Sequence, residues 1–390
     1  MRSSRIVWAA SLILLLVNYI FSDIYSGLWL LGAALLIPLA SVIYTAVSCR
    51  SIDAKITMPH TCRKGEAAEG VLTVQGRNRF PVFRADICVT VRNVLTGQEQ
   101  DMTFTASLTG RAGRQIHFSL TDTLCGSVRM TFRNVRIYDM FGIFRKDIKT
   151  DMEYRLRILP DVFPVDLRIM PGLRSDSESI EYSAYRPGND ISEVFGIREY
   201  REGDSIRNIH WKLTGKCDDI MVKLPSLPVE NSVMLMLETG TGKGEEHSPE
   251  VYSALAEIYI TLSENLADSG ISHCIAWYDR QEERIFSFDI SSEDDINSVM
   301  DRILSAGCSY DDISAVEHYI TEKGMIDKAH LVYVTPHQPR IPAGELAGIY
   351  ATAIVCSDER NAVSGITGDG MRITACTPDD CRSMLHDISI

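Results

Sequence analysis

Two long apolar stretches open the chain. Residues Ile6–Phe21 and Gly27–Val47 contain no charged side chain. At ~1.5 Å rise per residue the second is long enough to cross a ~30 Å hydrocarbon core. The first reaches that length if Arg5 snorkels and Ser22 extends it. The pattern predicts a transmembrane helical hairpin over residues 1–50, with Ser22–Ser26 as its turn. A cleaved signal peptide is the competing reading. It is disfavoured because no small-x-small site follows the first stretch and a second span comes at once.

After residue 50 the apolar period becomes two. Ala54–Met58, Gly70–Val74, Ala85–Val91 and Gln115–Leu120 alternate, with Gly, Asn and Pro between them. Short strands at such spacing predict an all-β sandwich over residues 51–150. Residues 151–230 are less regular. Tyr154–Pro160 reads as a strand, Ser175–Ser183 as a polar loop, and Gly196–Lys223 holds a dense cluster of charged and aromatic residues.

From residue 231 the pattern changes again. Ser232–Leu237, His273–Tyr278, Arg284–Ile290, Ala329–Thr335, Thr352–Cys356 and residues 371–375 read as strands. Pro249–Ala267, Glu293–Ser305 and Asp311–Glu322 read as helices. This alternation predicts an α/β domain over 231–390, with a doubly wound, mostly parallel sheet. The fold expected is multidomain: two transmembrane helices, a β-sandwich, a connecting segment, then the α/β domain.

Charge sharpens this picture. The chain has 390 residues and a formal net charge of -13. Lys and Arg outnumber Asp and Glu by 18 to 10 over residues 1–150, whereas the counts are 10 against 28 over residues 224–390. An acidic total argues against a nucleic-acid binder. The basic residues near the spans are Arg2, Arg5, Arg50, Lys55, Arg63 and Lys64, and the hairpin turn has none. The positive-inside rule therefore predicts a two-pass protein of the cytoplasmic membrane with both termini in the cytoplasm. The ten cysteines are dispersed, without a CxxC pair, and read as small core residues.

Two segments carry a resemblance. One is Ile137-Tyr138-Asp139-Met140-Phe141-Gly142-Ile143-Phe144. The other runs from Arg198 to Lys212, as Arg-Glu-Tyr-Arg-Glu-Gly-Asp-Ser-Ile-Arg-Asn-Ile-His-Trp-Lys. With the order of domains, they make the chain resemble the membrane-protein family called domain of unknown function 58. Met140 stands where that family usually has proline. The resemblance implies a von Willebrand factor A-like fold for residues 231–390. It also implies a MoxR-type AAA+ ATPase as partner.

The signature residues Arg198, Tyr200, Gly203, Asp204, Arg207, His210, Trp211 and Lys212 admit two readings. They could form a polar site that binds a ligand or partner. Alternatively Arg198, Asp204 and Arg207 lock the segment as an ion-pair network, with Trp211 as core and His210 and Lys212 alternating around it on a strand. No Gly-x-Ser-x-Gly or His-Glu-x-x-His motif supports a hydrolase, and no catalytic residue is assigned.

A von Willebrand A domain often holds a cation through Asp-x-Ser-x-Ser at the end of its first strand. Here that place reads Glu238-Thr239-Gly240-Thr241-Gly242, a degenerate site with two hydroxyl ligands lost. No metal and no cofactor are expected. The run Gly240–Gly244 also fails the phosphate-loop pattern. Glu245, Glu246, Asp294, Asp295, Asp311 and Asp312 form either a solvated face or a docking surface for another protein, and the interaction surface is expected at this acidic C-terminal domain. The expected function is a non-enzymatic, membrane-anchored scaffold acting with the ATPase in protein maturation or envelope remodelling. The alternative is a small-ligand or enzymatic site at the signature.

Overall fold

The computed structural model describes residues 2–22, 25–48, 52–76, 81–108, 113–168, 182–201, 204–216, 219–228, 233–241, 247–339, 341, 346, 349–359, 364–367 and 370–389. The chain forms two compact units. One comprises residues 1–93, 98–123 and 127–159, and the other comprises 94–97, 124–126 and 160–390.

The first unit begins with helices α1 (Arg2–Ser22) and α2 (Tyr25–Ser48). Each carries a stretch long and apolar enough to cross a membrane, Ser4–Phe21 and Gly27–Val47, and almost nothing of either stretch is buried in protein. A soluble core helix of this composition would be covered, because apolar surface left in water costs about 25 cal/mol per Å².

Eight strands follow: β1 (Ile52–Thr57), β2 (Thr61–Arg63), β3 (Ala67–Gly76), β4 (Val82–Asn93), β5 (Glu99–Leu108), β6 (Arg114–Thr121), β7 (Gly126–Tyr138) and β8 (Arg145–Leu159). They build a three-stranded sheet, β1-β3-β6, and a five-stranded sheet, β2-β8-β7-β4-β5. The expected alternation is visible in the core. Leu72, Val74 and Leu120 of one sheet pack with Ile87, Phe132 and Leu156 of the other. β8 runs through the boundary expected at residue 150 and ends at Leu159, because Leu156 and Ile158 still belong to this core.

From residue 160 onward the second unit is continuous, and its first strands there are β9 (Asp166–Arg168) and the long β10 (Tyr182–Glu199). Of the loop expected over 175–183, Tyr182 and Ser183 lie in β10 and the rest lies outside the described residues. A short 3-10 turn (Ile206–Asn208), the one-turn helix α3 (Trp211–Thr214) and β11 (Met221–Pro228) follow. β10 and β11 pair antiparallel as a ribbon.

The remaining elements are β12 (Val233–Leu237), β13 (Gly240–Thr241), α4 (Pro249–Asp268), β14 (His273–Asp279), β15 (Arg284–Ile290), α5 (Glu293–Ser305), β16 (Ser309–Tyr310), α6 (Ala315–Lys323), β17 (His330–Thr335), β18 (Tyr350–Cys356), β19 (Gly365–Ile366), β20 (Arg372–Cys376), α7 (Cys381–Met384) and β21 (Asp387–Ser389). Seven strands form one sheet in the order β15-β14-β12-β17-β18-β20-β19. β12, β14, β17, β18 and β20 are parallel, and the edges β15 and β19 are antiparallel. This is the doubly wound order, reversing direction at β12. Every residue of β12 is buried, as a strand covered on both faces requires.

α6 starts at Ala315 and not at Asp311. Ser314 and Glu317 form a capping box: the Ser314 Oγ accepts the Glu317 N–H, and the Glu317 carboxylate accepts the Ser314 N–H. That reciprocal pair satisfies two end groups and fixes the first turn. It outweighs the acidic residues at 311 and 312, which only resemble a helix start.

Candidate functional site

The signature folds around one ion pair. Arg198, near the end of β10, donates from both terminal nitrogens to Asp204, at 2.7 and 2.6 Å. Asp204 also accepts the Arg201 N–H at 2.7 Å, and its own N–H donates to the Arg201 carbonyl. A bidentate guanidinium–carboxylate pair is both strong and directional. The Arg198 guanidinium, and after it the Arg201 N–H, hold the Asp204 carboxyl below the usual carboxylate range.

The next turn is held by His210. Its Nδ1 accepts the Leu213 N–H at 3.1 Å, and its backbone N–H donates to the Met221 carbonyl. The ring therefore caps α3 in the role an Asp or Ser side chain usually plays. Thr214 Oγ1 accepts the Met221 N–H, which ties α3 back to β11. Inside these bonds Ile209 is buried and bridges to Val222.

Two expectations about this segment are corrected. Trp211 is not core and His210-Trp211-Lys212 is not a strand. Trp211 opens the helical turn and is 67% exposed. Arg207 is not part of a buried network; it stands exposed on the 3-10 turn, outside the Arg198–Asp204 pair. Lys212 is exposed as well, and Gly203 lies outside the described residues. Ile206 is 70% exposed and Tyr200 39% exposed. The signature thus divides its labour. Arg198, Asp204 and His210 shape the backbone, while Tyr200, Ile206, Arg207, Trp211 and Lys212 face solvent. Sequence reasoning did not single out Ile206.

The second place of interest is the reversal point between β12 and β17, where doubly wound sheets bind ligands. Glu238 sits there, buried. Its Oε1 accepts the Gly240 N–H, and its Oε2 accepts both the Ala315 N–H and the Tyr333 hydroxyl, all at 2.7 Å. Burial pushes the Glu238 carboxyl above its ordinary value, against the pull of these donors. Burial, then Glu238 itself, raises the Tyr333 phenol well above its normal value, so it remains a neutral donor. Both carboxylate oxygens are therefore used to hold the end of β12 to β17 and to the start of α6.

Gly240 is required by this arrangement. A Cβ there would lie 2.9 Å from Glu238 Oε1 and 3.2 Å from Asp311 Cβ. Gly240→Ala is expected to push the Glu238 carboxylate off its donors. A lowered thermal midpoint would report it; an unchanged midpoint would count against so tight a contact.

Thr239 is buried beside Glu238. Thr241 pairs with Tyr310 in the β13–β16 bridge, and its side chain lies outside the described residues, as do Gly242, Glu245 and Glu246. Asp311 accepts from Arg280 at 3.1 Å and lies 3.0 Å from His318, whose ring stacks on Tyr278 at 3.6 Å. Asp295 accepts the Ser291 and Ser292 N–H groups at the start of α5, and Asp294 is exposed. Two of the acidic residues expected to form a docking face are thus engaged within the fold. Among the described residues no three His, Cys, Asp or Glu side chains come together as a metal cluster.

No family model matches the chain, and no curated protein matches it either. Solved structures with partial likeness include the CARDB domain of a Pyrococcus furiosus protein, at 16% identity and a TM-score of 0.21, covering 28% of this chain and 88% of that one. A cohesin module from Clostridium perfringens gives 13% identity and a TM-score of 0.22, covering 27% and 96%. A β-glucosidase from Listeria innocua gives 12% identity and a TM-score of 0.20, covering 28% and 16%. Likeness at these scores carries no argument about this chain.

Proposed function

We propose that this protein is a membrane-anchored adaptor whose signature segment docks another protein, with a MoxR-type AAA+ ATPase as the partner. The observation that carries the reading is Trp211. A tryptophan 67% exposed on a backbone locked by an ion pair and a histidine cap is a costly thing to leave in water. Exposed aromatic residues on rigid supports are the usual anchors of protein interfaces. Ile206 and Tyr200 add apolar surface from the same segment, and Arg201, Arg207 and Lys212 add exposed positive charge. The complementary partner surface is an apolar pocket rimmed by carboxylates.

The doubly wound order of the sheet supports a von Willebrand factor A-like reading of residues 231–390. The apolar helices α1 and α2 anchor the protein in the cytoplasmic membrane, with both termini in the cytoplasm, as the basic residues flanking the spans indicate. In this reading Glu238 stands where von Willebrand A domains often hold a cation, with both its oxygens taken by donors of the protein itself. The ligand-site or enzymatic alternative finds less support, because Asp204 and His210, its best acid–base groups, are already engaged in holding backbone.

Trp211→Ala in the full-length protein tests the proposal. Purified in detergent and titrated with the ATPase, the variant is expected to bind about 10- to 100-fold more weakly, the loss typical of an aromatic anchor. Its thermal midpoint should stay unchanged, because the side chain contributes little to the fold. Unaltered affinity, or no binding by the parent protein, would overturn it.

A further inference from the structure

The segment Asp139–Phe144, between β7 and β8, meets the two apolar helices. Trp8 of α1 packs edge-on against Phe141, with ring centroids 5.3 Å apart. Arg5 Nε donates to the Ile143 carbonyl at 2.9 Å, and Ser41 Oγ of α2 donates to Asp139 at 3.4 Å. Nearby, the Tyr44 hydroxyl donates to the Pro81 carbonyl, and its ring lies 6.0 Å from that of Phe83. Each of these helix residues lies within the apolar stretches Ser4–Phe21 and Gly27–Val47. Trp8 is four residues inside the first and Ser41 six residues inside the second, so they sit ~6 and ~9 Å along the helices from the ends of the stretches. The turn therefore reaches beside helix residues at the depth of the headgroup–acyl boundary.

Its backbone suits that depth. The Asp139 carboxylate accepts the Phe141 and Phe144 N–H groups. The Asp139 N–H donates to the Phe144 carbonyl, and the Gly142 N–H to the Asp139 carbonyl. Gly142 has φ +66°, which a side chain would strain. Away from water, unpaired backbone groups are expensive, so a segment entering an interface must pair them internally. Met140 of the turn is 62% exposed, and Phe83 of the adjacent β4 is 46% exposed.

We infer that this turn is a third membrane contact, inserted into the leaflet at the N-terminal end of α1, with Met140 and Phe83 in the lipid interface. Trp8 and Tyr44 are the aromatic residues expected at that level, and Arg5 snorkels past them to cap the turn. The inserted turn sets the height of the sandwich above the bilayer, which neither span alone would do. The inference rests on the reading of α1 and α2 as membrane spans.

The test uses the full-length protein in vesicles of phosphatidylcholine and phosphatidylglycerol, with a benzophenone amino acid in place of Met140 and, separately, in place of Thr103, an exposed residue of β5. Vesicle flotation is scored first. The expected result is co-flotation, with phospholipid adducts at position 140 and none at 103. Co-flotation without an adduct at 140 would overturn the insertion and leave the spans standing. Protein that does not float would overturn both.

Discussion

Glu238→Ala is expected to destabilise the α/β unit by about 3–5 kcal/mol, since each buried donor left unpaired costs about 1–3 kcal/mol. The substitution orphans three donors at once: the Gly240 and Ala315 N–H groups and the Tyr333 hydroxyl. Two of these donors lie on elements far from β12 in sequence, so local rearrangement cannot re-pair them. Glu238→Gln keeps the shape but turns an amide NH₂ toward at least one donor, and should cost about 2 kcal/mol. Thermal unfolding of the full-length protein in detergent checks the order parent, Gln, Ala. Equal midpoints for all three would show that the carboxylate does not hold the sheet to α6.

The second large effect is acid lability of the same unit. His330 is buried at the start of β17, with Nε2 3.0 Å from Thr352 Oγ1 and no partner for Nδ1 among the described residues. Burial, with Arg372 adding repulsion, pushes its imidazole down to about 4. His273, equally buried at the start of β14, is shifted the same way by burial. The ordinary imidazole value is about 6.5, so below it the unfolded chain takes up protons that the folded chain refuses. Stability is therefore full above about pH 6.5 and falls as pH drops toward about 4. For His330 alone the loss approaches 3 kcal/mol. His330→Gln should flatten the fall of the thermal midpoint between about pH 7 and about pH 4.5. A variant with the parent's pH profile would remove His330 from the explanation.

Much of this fold was legible in the sequence because it is written in periodicity. The alternation at Gly70–Val74 and Ala85–Val91 marks β3 and β4, and the unbroken apolar run ending at Leu237 marks the buried β12. The start of α6 was misplaced because acidic residues at 311 and 312 imitate a first helical turn. The deciding signal, Ser314 with Glu317 three residues on, was present and stronger.

The signature was legible only in part. Arg198 with Asp204 is a pairing that charge suggests, and it forms. The exposure of Trp211 could not be read, since His-Trp-Lys is too short to separate a strand from one helical turn. Which way it faces depends on His210 capping Leu213, a contact that charge and period do not encode. The docking of Phe141 on Trp8 was hidden for another reason: it joins residues far apart in the chain, and no local pattern records such a meeting.

If the signature, and not the acidic end, carries the partner, a photo-crosslinking amino acid at position 211 must capture it, and the same amino acid at position 294 on the exposed face of α5 must not. Both variants are tested in living cells. The prediction is a crosslink from position 211 to a MoxR-type ATPase and none from position 294. A crosslink from 294 with none from 211, or no ATPase captured from either, would contradict it.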